Sequence, residues 1–193
     1  MFTLEVELMN PPNTSREEIM RVSRKIVSEK GLPALNMRTL AKECGIALGT
    51  LYNYYSDKDE LVVAAIESVW QDILEKSVPD SGVRFSQYVT QVYARILSGL
   101  KDYPDFFAAH AISVAGSAKG KARGMMERCF GKIRGELHAA LREDKKADRS
   151  IFSETFREEN LIGHILDTIT ISIINGKPDC AELTEILDRL LYR

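Results

Sequence analysis

The chain is poor in cysteine and contains no long apolar run. Its three cysteines, Cys44, Cys129 and Cys180, are too few and too scattered for a disulfide framework or a paired metal site. The longest apolar run, Leu61 to Ile66, is far shorter than the ~20 residues that cross a bilayer. The first 15 residues lack Lys and Arg and do not resemble a signal peptide. These absences predict a cytoplasmic protein with no membrane partner, metal site or cofactor.

A strong excess of charge of one sign is also lacking, because the formal net charge is −2. Residues 14–58 carry eight Lys or Arg against five Asp or Glu, whereas residues 59–193 carry eighteen against twenty-one. A small basic N-terminal region on a slightly acidic chain is compatible with a nucleic-acid partner, but a difference of this size also arises by chance. Charge alone therefore does not identify the partner.

Apolar residues recur at helical spacing along nearly the whole chain. The alternating stretch from Phe2 to Leu8 is short, and Pro11-Pro12 ends it. We therefore predict an all-α protein of about nine helices. The sixth of these is predicted from Asp105 to Val114, and the glycine-rich residues 116–124 that follow are predicted to fray.

Three helices are predicted to begin at a polar residue that forms a reciprocal capping pair with an acidic residue three positions later. These pairs are Thr14 with Glu17 for the first helix, Ser56 with Asp59 for the fourth, and Asp179 with Glu182 for the last. The third helix is predicted to run from Leu48 to Tyr55.

Residues 39–51 satisfy the packing demands of a helix-turn-helix. Ala41 is small where two helices cross, Gly45 can adopt the left-handed conformation of the turn, and Leu51 fills the wedge between the helices. A helical hairpin that merely packs in a core is the alternative. The rest of the third helix favours a nucleic-acid interface, because hydroxyl and amide groups suit phosphates and base edges. These groups belong to Thr50, Tyr52, Asn53 and Tyr54.

With these residues in place, the stretch from Ser15 to Leu61 resembles the DNA-binding domain of the tetracycline-repressor (TetR) family of bacterial regulators. The matching segments are Arg16-Glu17-Glu18-Ile19, Glu29-Lys30-Gly31, Met37-Arg38-Thr39-Leu40-Ala41, Gly49-Thr50-Leu51-Tyr52-Asn53-Tyr54-Tyr55 and Lys58-Asp59-Glu60-Leu61. The rest of the chain agrees with the family in length and helix number, without a sequence signature. The resemblance covers about a quarter of the chain.

The resemblance implies a homodimeric repressor that a small-molecule effector releases from a palindromic operator on double-stranded DNA. It implies an N-terminal extension at residues 1–13 and a three-helix helix-turn-helix domain at residues 14–58. Residues 59–193 would form a helical domain for effector binding and dimerisation. A ligand-independent DNA-binding regulator of the same fold is the nearer alternative.

The resemblance also implies roles for individual residues at the matching positions. Arg38 matches a residue that reaches base edges, whereas Thr50, Tyr52 and Lys58 match residues that contact phosphates. Tyr55 matches a core aromatic. The full set of implied DNA contacts is Arg38, Thr39, Leu48, Thr50, Tyr52, Asn53, Tyr54 and Lys58.

The chain departs from the family pattern at two positions. Ala47 stands where a capping Ser or Thr is common, and Leu48 stands where a Lys or Arg is frequent. The third helix therefore has no Arg or Gln for bidentate contacts with guanine or adenine. Base recognition is predicted to depend on Arg38, Asn53, contact between Leu48 and thymine methyl groups, or DNA shape.

Two sets of apolar residues predict the other partners. Aromatic residues of the fourth to sixth helices suit an effector cavity, although such residues more often form core. They are Trp70, Tyr88, Tyr93, Tyr103, Phe107 and His110. Apolar stripes on the last two helices are predicted to pair in a two-fold four-helix bundle. They comprise Ile162, Ile165, Ile169, Ile173, Leu183, Ile186, Leu187 and Leu190.

An enzyme is the distant alternative, and we predict no catalytic residues. The stretch from Gly116 to Lys121 resembles a phosphate loop, but the glycine spacing is one residue short and Ala122 replaces the required hydroxyl residue. The three histidines are 26 or more residues apart, and none lies in a pair with metal-ligand spacing.

Overall fold

The computed structural model describes residues 14–75, 79–106 and 119–192. Within these residues the chain forms eight α-helices, two short 3₁₀ turns and no strand, which confirms the predicted all-α class. The helices are α1 (Arg16–Lys30), α2 (Met37–Glu43), α3 (Leu48–Tyr52), α4 (Lys58–Glu75), α5 (Phe85–Leu100), α6 (Lys119–Glu143), α7 (Glu158–Ile174) and α8 (Ala181–Leu191). Residues 107–118, which hold most of the predicted sixth helix, lie outside the described residues. Residues 119–124, at the end of the stretch predicted to fray, are helical.

Helices α1 to α3 form a small unit, which we call the head (residues 14–58). The hydroxyl of Ser15 accepts a hydrogen bond from the Glu18 amide at 3.1 Å and caps α1. The prediction that Thr14 is the cap was therefore wrong by one residue. The Thr14 carbonyl instead accepts a hydrogen bond from the Tyr54 hydroxyl. Helix α1 buries Ile19, Val22, Ser23, Ile26 and Val27 against the other helices.

The turn between α2 and α3 has the predicted geometry. Gly45 has φ +66°, and the Ile46 amide donates to the Ala41 carbonyl at 3.0 Å, which closes α2. Leu51 and Tyr55 are buried, which confirms both as core residues. Helix α3 ends at Tyr52 rather than at Tyr55, and Ala47 provides no side-chain cap at its start.

Helix α4 connects the head to the remaining helices. It begins at Lys58, because Asp57 accepts from the Glu60 amide at 2.7 Å and the Glu60 carboxylate accepts from the Ser56 amide at 2.8 Å. This capping pair lies one residue beyond the predicted pair of Ser56 and Asp59. Helix α4 packs against α1 on one side and against α5 and α6 on the other.

Helices α5 to α8 form a second unit, which we call the body (residues 79–106 and 119–192). Helix α5 contacts α4, α6 and α8, and α6 also packs on α7. At the start of α8 the Ala181 amide donates to Asp179 at 3.0 Å, but Glu182 pairs with Lys177 at 2.6 Å. The predicted capping pair of Asp179 and Glu182 therefore does not form.

The interior of the body contains charged groups. The guanidinium of Arg95, with a side chain 2% exposed, lies 2.5 Å from the Glu136 carboxylate. A second buried carboxylate, that of Asp144, accepts from the Phe85 amide at 2.8 Å and from the Tyr192 hydroxyl. Burial alone raises the pKa of Asp144, but these hydrogen bonds and those from neighbouring amides lower it below its usual value overall. The start of α5 and the end of the chain are thereby joined.

Candidate DNA-binding surface and body cavities

Four of the predicted DNA contacts project from the head without internal partners. Arg38 on α2, Tyr52 and Asn53 at the end of α3, and Lys58 at the start of α4 are exposed. Within the part of the chain that the structure describes, their side chains make no hydrogen bond or ion pair. Such groups keep their full capacity to bind phosphates and base edges.

The other four predicted contacts are less accessible. Thr50 and Leu48 on α3 are half-buried. Thr39 accepts a hydrogen bond from the Asn36 amide nitrogen at 2.9 Å. Tyr54 is half-buried, and its hydroxyl donates to the Thr14 carbonyl, so this group serves to hold α1 against the end of α3. The predicted contact of Tyr54 with DNA stays a prediction, since its hydroxyl already has an internal acceptor.

Contacts with acceptor groups of the protein separate the basic residues of the head into two groups. Five of them contact an acceptor of the protein itself: Arg16, Arg21, Arg24, Lys25 and Lys30. Arg38, Lys42 and Lys58 are exposed and have no such partner among the described residues. Residues four positions apart share a helix face, so Lys42 lies one turn beyond Arg38 on the same side of α2. Sequence reasoning missed Lys42, although this spacing could have identified it.

Lys58 lies at the N-terminus of α4, where the partial positive charge of the helix favours anions. Asp57, Asp59 and Glu60 surround it in the sequence. The carboxylates of Asp57 and Glu60 already accept hydrogen bonds from backbone amides at this helix end. They therefore stabilise the start of α4, and they also reduce the positive potential around Lys58.

Residues 19–65 match the family model for bacterial regulatory proteins of the tetR family. This segment of the chain is therefore of the TetR type. An uncharacterised HTH-type transcriptional regulator of Haemophilus influenzae is 33% identical over 99 residues, which cover 45% of this chain and 53% of that protein. The HTH-type transcriptional regulator UidR of Escherichia coli K12 is 31% identical over 78 residues, which cover 40% of each chain. The chain thus spans about half the length, or less, of the curated relatives that it matches.

Two solved structures resemble the fold of most of the chain. BioQ bound to its double-stranded DNA operator superposes with a TM-score of 0.58 and 17% identity, covering 90% of this chain and 95% of BioQ. The multidrug binding protein EbrR in complex with proflavin gives a TM-score of 0.59 and 19% identity, covering 91% and 98%. At these identities the likeness establishes the fold of head and body together.

A cavity of about 360 Å³ lies between α6 and α7 of the body. Phe130 and Leu166 supply its apolar wall, and the charged residues Glu127, Arg134 and Asp167 also line it. Phe130 packs against Trp70, with ring centroids 6.5 Å apart. The described part of the predicted effector set does not line this cavity.

The predicted effector residues lie in several places. Trp70, Tyr93 and Tyr103 are buried in the core, and Tyr88 lines a separate cavity of about 230 Å³ between α5 and α6. The remaining two, Phe107 and His110, lie outside the described residues. Within residues 14–75, 79–106 and 119–192 there is no cluster of three potential metal ligands, and no helix is long and apolar enough to cross a membrane.

The predicted dimer set needs correction. Ile162, Ile165, Ile169 and Leu187 are at most 3% exposed, because they face the core of their own body. Leu183 is also buried, and Ile173 and Leu190 are half-buried. Of the predicted residues only Ile186 is strongly exposed, and the structure adds two further exposed isoleucines on α7, Ile171 and Ile174. Periodicity alone did not distinguish the apolar face that packs internally from the one that faces outward.

Proposed function

We propose that this chain is a DNA-binding transcription regulator and not an enzyme. The observation that carries the proposal is a set of exposed side chains on the head that have no partner among the described residues, which includes Arg38, Tyr52, Asn53 and Lys58. Its curated relatives are transcriptional regulators. BioQ, which has a similar fold, binds a double-stranded DNA operator. A bacterial regulator that binds chromosomal DNA acts in the cytoplasm. Residues 14–58 and 59–193 are the proposed DNA-binding and effector-binding domains.

The residues of the head divide into two roles. Arg38 reads base edges, because its planar guanidinium can donate two parallel hydrogen bonds to guanine. Lys42, Lys58, Thr50 and Tyr52 contact phosphates and set the position of the head on the duplex. Asn53 and Leu48 add base contacts of lower specificity.

Selection of bound duplexes from a random pool tests this division. We expect the Arg38→Ala variant to lose roughly 1–3 kcal/mol on the selected site and to relax its base preference. The Lys58→Ala variant should weaken binding to all duplexes alike and reduce the salt slope by about one. Lys25→Ala, which removes an α1 lysine that faces Glu29, is the control. Equal losses on selected and random DNA for both test variants would contradict the division.

The body pairs two copies of the chain through the outer faces of α7 and α8. Three large apolar side chains there are more than half exposed: Ile171 at 57%, Ile174 at 61% and Ile186 at 60%. A two-fold axis along this face would bury them in a four-helix bundle. It would also place the α3 helices of the two copies ~34–36 Å apart. The double variant Ile171→Glu/Ile186→Glu should sediment as a folded monomer, whereas Ser98→Glu on α5 should remain dimeric. A double variant that still sediments as a dimer would place the interface elsewhere.

A small-molecule effector binds in the cavity between α6 and α7. Its apolar wall and its two carboxylates, Glu127 and Asp167, suit a flat organic cation more than an anion, although Arg134 is also present. Proflavin, the ligand of EbrR, is the first probe. We expect it to bind and to lower affinity for the selected duplex, with Phe130→Ala weakening proflavin binding and Tyr88→Phe leaving it unchanged. If organic cations and anions alike leave DNA affinity unchanged, the ligand-independent regulator is the better description.

A further inference from the structure

A set of polar contacts joins the head to the body across α4. Arg24 on α1 donates to the Ser68 hydroxyl at 2.5 Å, and its Nε lies 3.8 Å from Oδ1 of Asp72. The other carboxylate oxygen of Asp72 accepts from the Tyr103 hydroxyl at 2.8 Å. Asp72, on α4, therefore lies between the head helix α1 and the segment that follows α5.

A second contact reaches α1 from the same segment. The Ser28 hydroxyl donates to the backbone carbonyl of Asp102 at 2.7 Å. Tyr103 is only 5% exposed, whereas the Asp72 side chain is 34% exposed, so the hydrogen bond between them is partly buried at the edge of the core. Residues 102 and 103 thus hold α1 and α4 at the same time.

Close packing fixes the same region of α4. A Cβ atom added to Gly99 on α5 would lie 2.6 Å from Cγ2 of Ile73 and 3.0 Å from its Cα. The two helices therefore cross with no space to slide at this point. A change in the angle between α4 and α5 would therefore pivot at this point, and a movement of α1 relative to this region would stretch or break the contacts of Asp102 and Tyr103.

A row of aromatic rings connects Tyr103 to the cavity between α6 and α7. The ring centroids of Tyr103 and Phe106 are 6.2 Å apart, and those of Phe106 and Trp70 are 6.1 Å apart. Trp70 in turn packs on Phe130, which lines the cavity. Packed chains of this kind are physical candidates for coupling between sites.

We propose that Tyr103 is a positioning residue, which fixes the orientation of the head relative to the body through Asp72 and Arg24. A conformational change in the body reaches the head through these three residues. The inference rests on the proposed DNA binding and adds to it a specific joint. Tyr103 contacts no DNA in this scheme. Its hydroxyl orients the Asp72 carboxylate, and that carboxylate orients Arg24. These contacts hold the head in the orientation that binds the duplex.

A matched pair of variants tests the joint. Tyr103→Phe and Tyr93→Phe each remove one hydroxyl from a buried ring, and each hydroxyl donates a single 2.8 Å hydrogen bond, to Asp72 and to the Lys177 carbonyl respectively. We expect Tyr103→Phe to lower affinity for the duplex selected by the wild-type protein about 3–10-fold, and to speed hydrogen exchange in α1 without DNA. Tyr93→Phe should change neither quantity by more than about twofold.

Two further measurements keep the inference falsifiable. Ser28→Ala should also speed exchange in α1, and in the cycle of Arg24→Ala with Tyr103→Phe the double variant should lose less affinity than the product of the single losses. If Tyr103→Phe matches Tyr93→Phe in affinity and in α1 exchange, or if it binds the duplex more tightly, the joint is overturned. If the wild-type protein selects no duplex, the proposed function fails. The comparison of α1 hydrogen exchange between Tyr103→Phe and Tyr93→Phe then tests the role of Tyr103 without DNA.

Discussion

The head and the body of this chain use charged residues in opposite ways. In the head, Arg38, Lys42 and Lys58 face outward without internal partners among the described residues. In the body, the buried Arg95 guanidinium pairs with the half-buried Glu136, and Asp144 lies among hydrogen-bond donors. The head therefore keeps its charges available for another molecule, whereas the body uses them to hold its own helices together.

The two regions also differ in how their sequences compare with those of known proteins. Residues 19–65, mostly in the head, match the family model by sequence. The family model does not extend into the body, and head and body together resemble BioQ and EbrR in fold, at 17% and 19% identity over 90% and 91% of the chain. A surface that must fit DNA constrains residue types at fixed positions, whereas a helical core accepts many apolar combinations of similar volume. Charge in the body should therefore govern stability, and charge in the head should govern binding.

The largest expected effect comes from removing the internal charge of the body. Glu136→Gln removes a carboxylate that pairs with the buried Arg95 guanidinium and should lower the free energy of unfolding by about 3 kcal/mol. Glu67→Gln breaks an exposed pair with Arg128 and should cost less than about 1 kcal/mol. Urea unfolding gives both values. Neither variant should change affinity for DNA. A large loss of affinity with little loss of stability would contradict the conclusion that charge in the body governs stability.

The second effect depends on pH. Hydrogen bonds outweigh the effect of burial and lower the pKa of Asp144, so its carboxylate stabilises the fold at neutral pH. This contribution is complete above the unfolded-state pKa of about 4 and is lost as pH falls through the lower folded-state value. Asp144→Asn should cost about 2 kcal/mol at pH 7 and should flatten the acid limb of the stability profile. The exposed Asp179→Asn is the control, and an equally flattened limb in that variant would contradict the assignment.

The third effect separates two glycines of the head. Both have open space for a Cβ atom, but Gly45 has φ +66° and Gly49 is helical. Gly45→Ala should cost about 1–2 kcal/mol because an L-residue is strained there, while Gly49→Ala should stabilise the head by roughly 0.5 kcal/mol. Thermal unfolding measures both. Equal destabilisation by the two variants would show that packing, and not backbone conformation, determines the turn.

The smallest effect concerns the lysine that sequence reasoning missed. Lys42→Ala should reduce the salt slope of DNA binding by about one and leave unfolding unchanged. Lys25→Ala removes the same charge from α1, where Glu29 lies 4.0 Å away, and should leave the slope unchanged. Identical slopes for the two variants would mean that net charge, and not the position of Lys42 beside Arg38, governs the interaction.

Some features of the head were predictable because they depend on neighbours in sequence. The spacing of Ala41, Gly45 and Leu51 predicted the helix-turn-helix, and the left-handed Gly45 and the buried Leu51 confirm it. Helix ends were less predictable, since adjacent polar residues compete for the same cap. Ser15 took the place of Thr14, and Asp57 took the place of Ser56, each a shift of one position.

By itself, the sequence determined the all-α class, the helix-turn-helix and the family match of residues 19–65, because helical periodicity and turn chemistry act over a few residues. Tertiary structure decided which apolar stripe is core and which is surface: Ile169 is buried and Ile171 is exposed on the same helix. It also decided which charges are paired, and it brought Arg24, Asp72 and Tyr103 together from three separate segments. These contacts depend on how distant helices cross, and no local pattern of residues encodes that geometry.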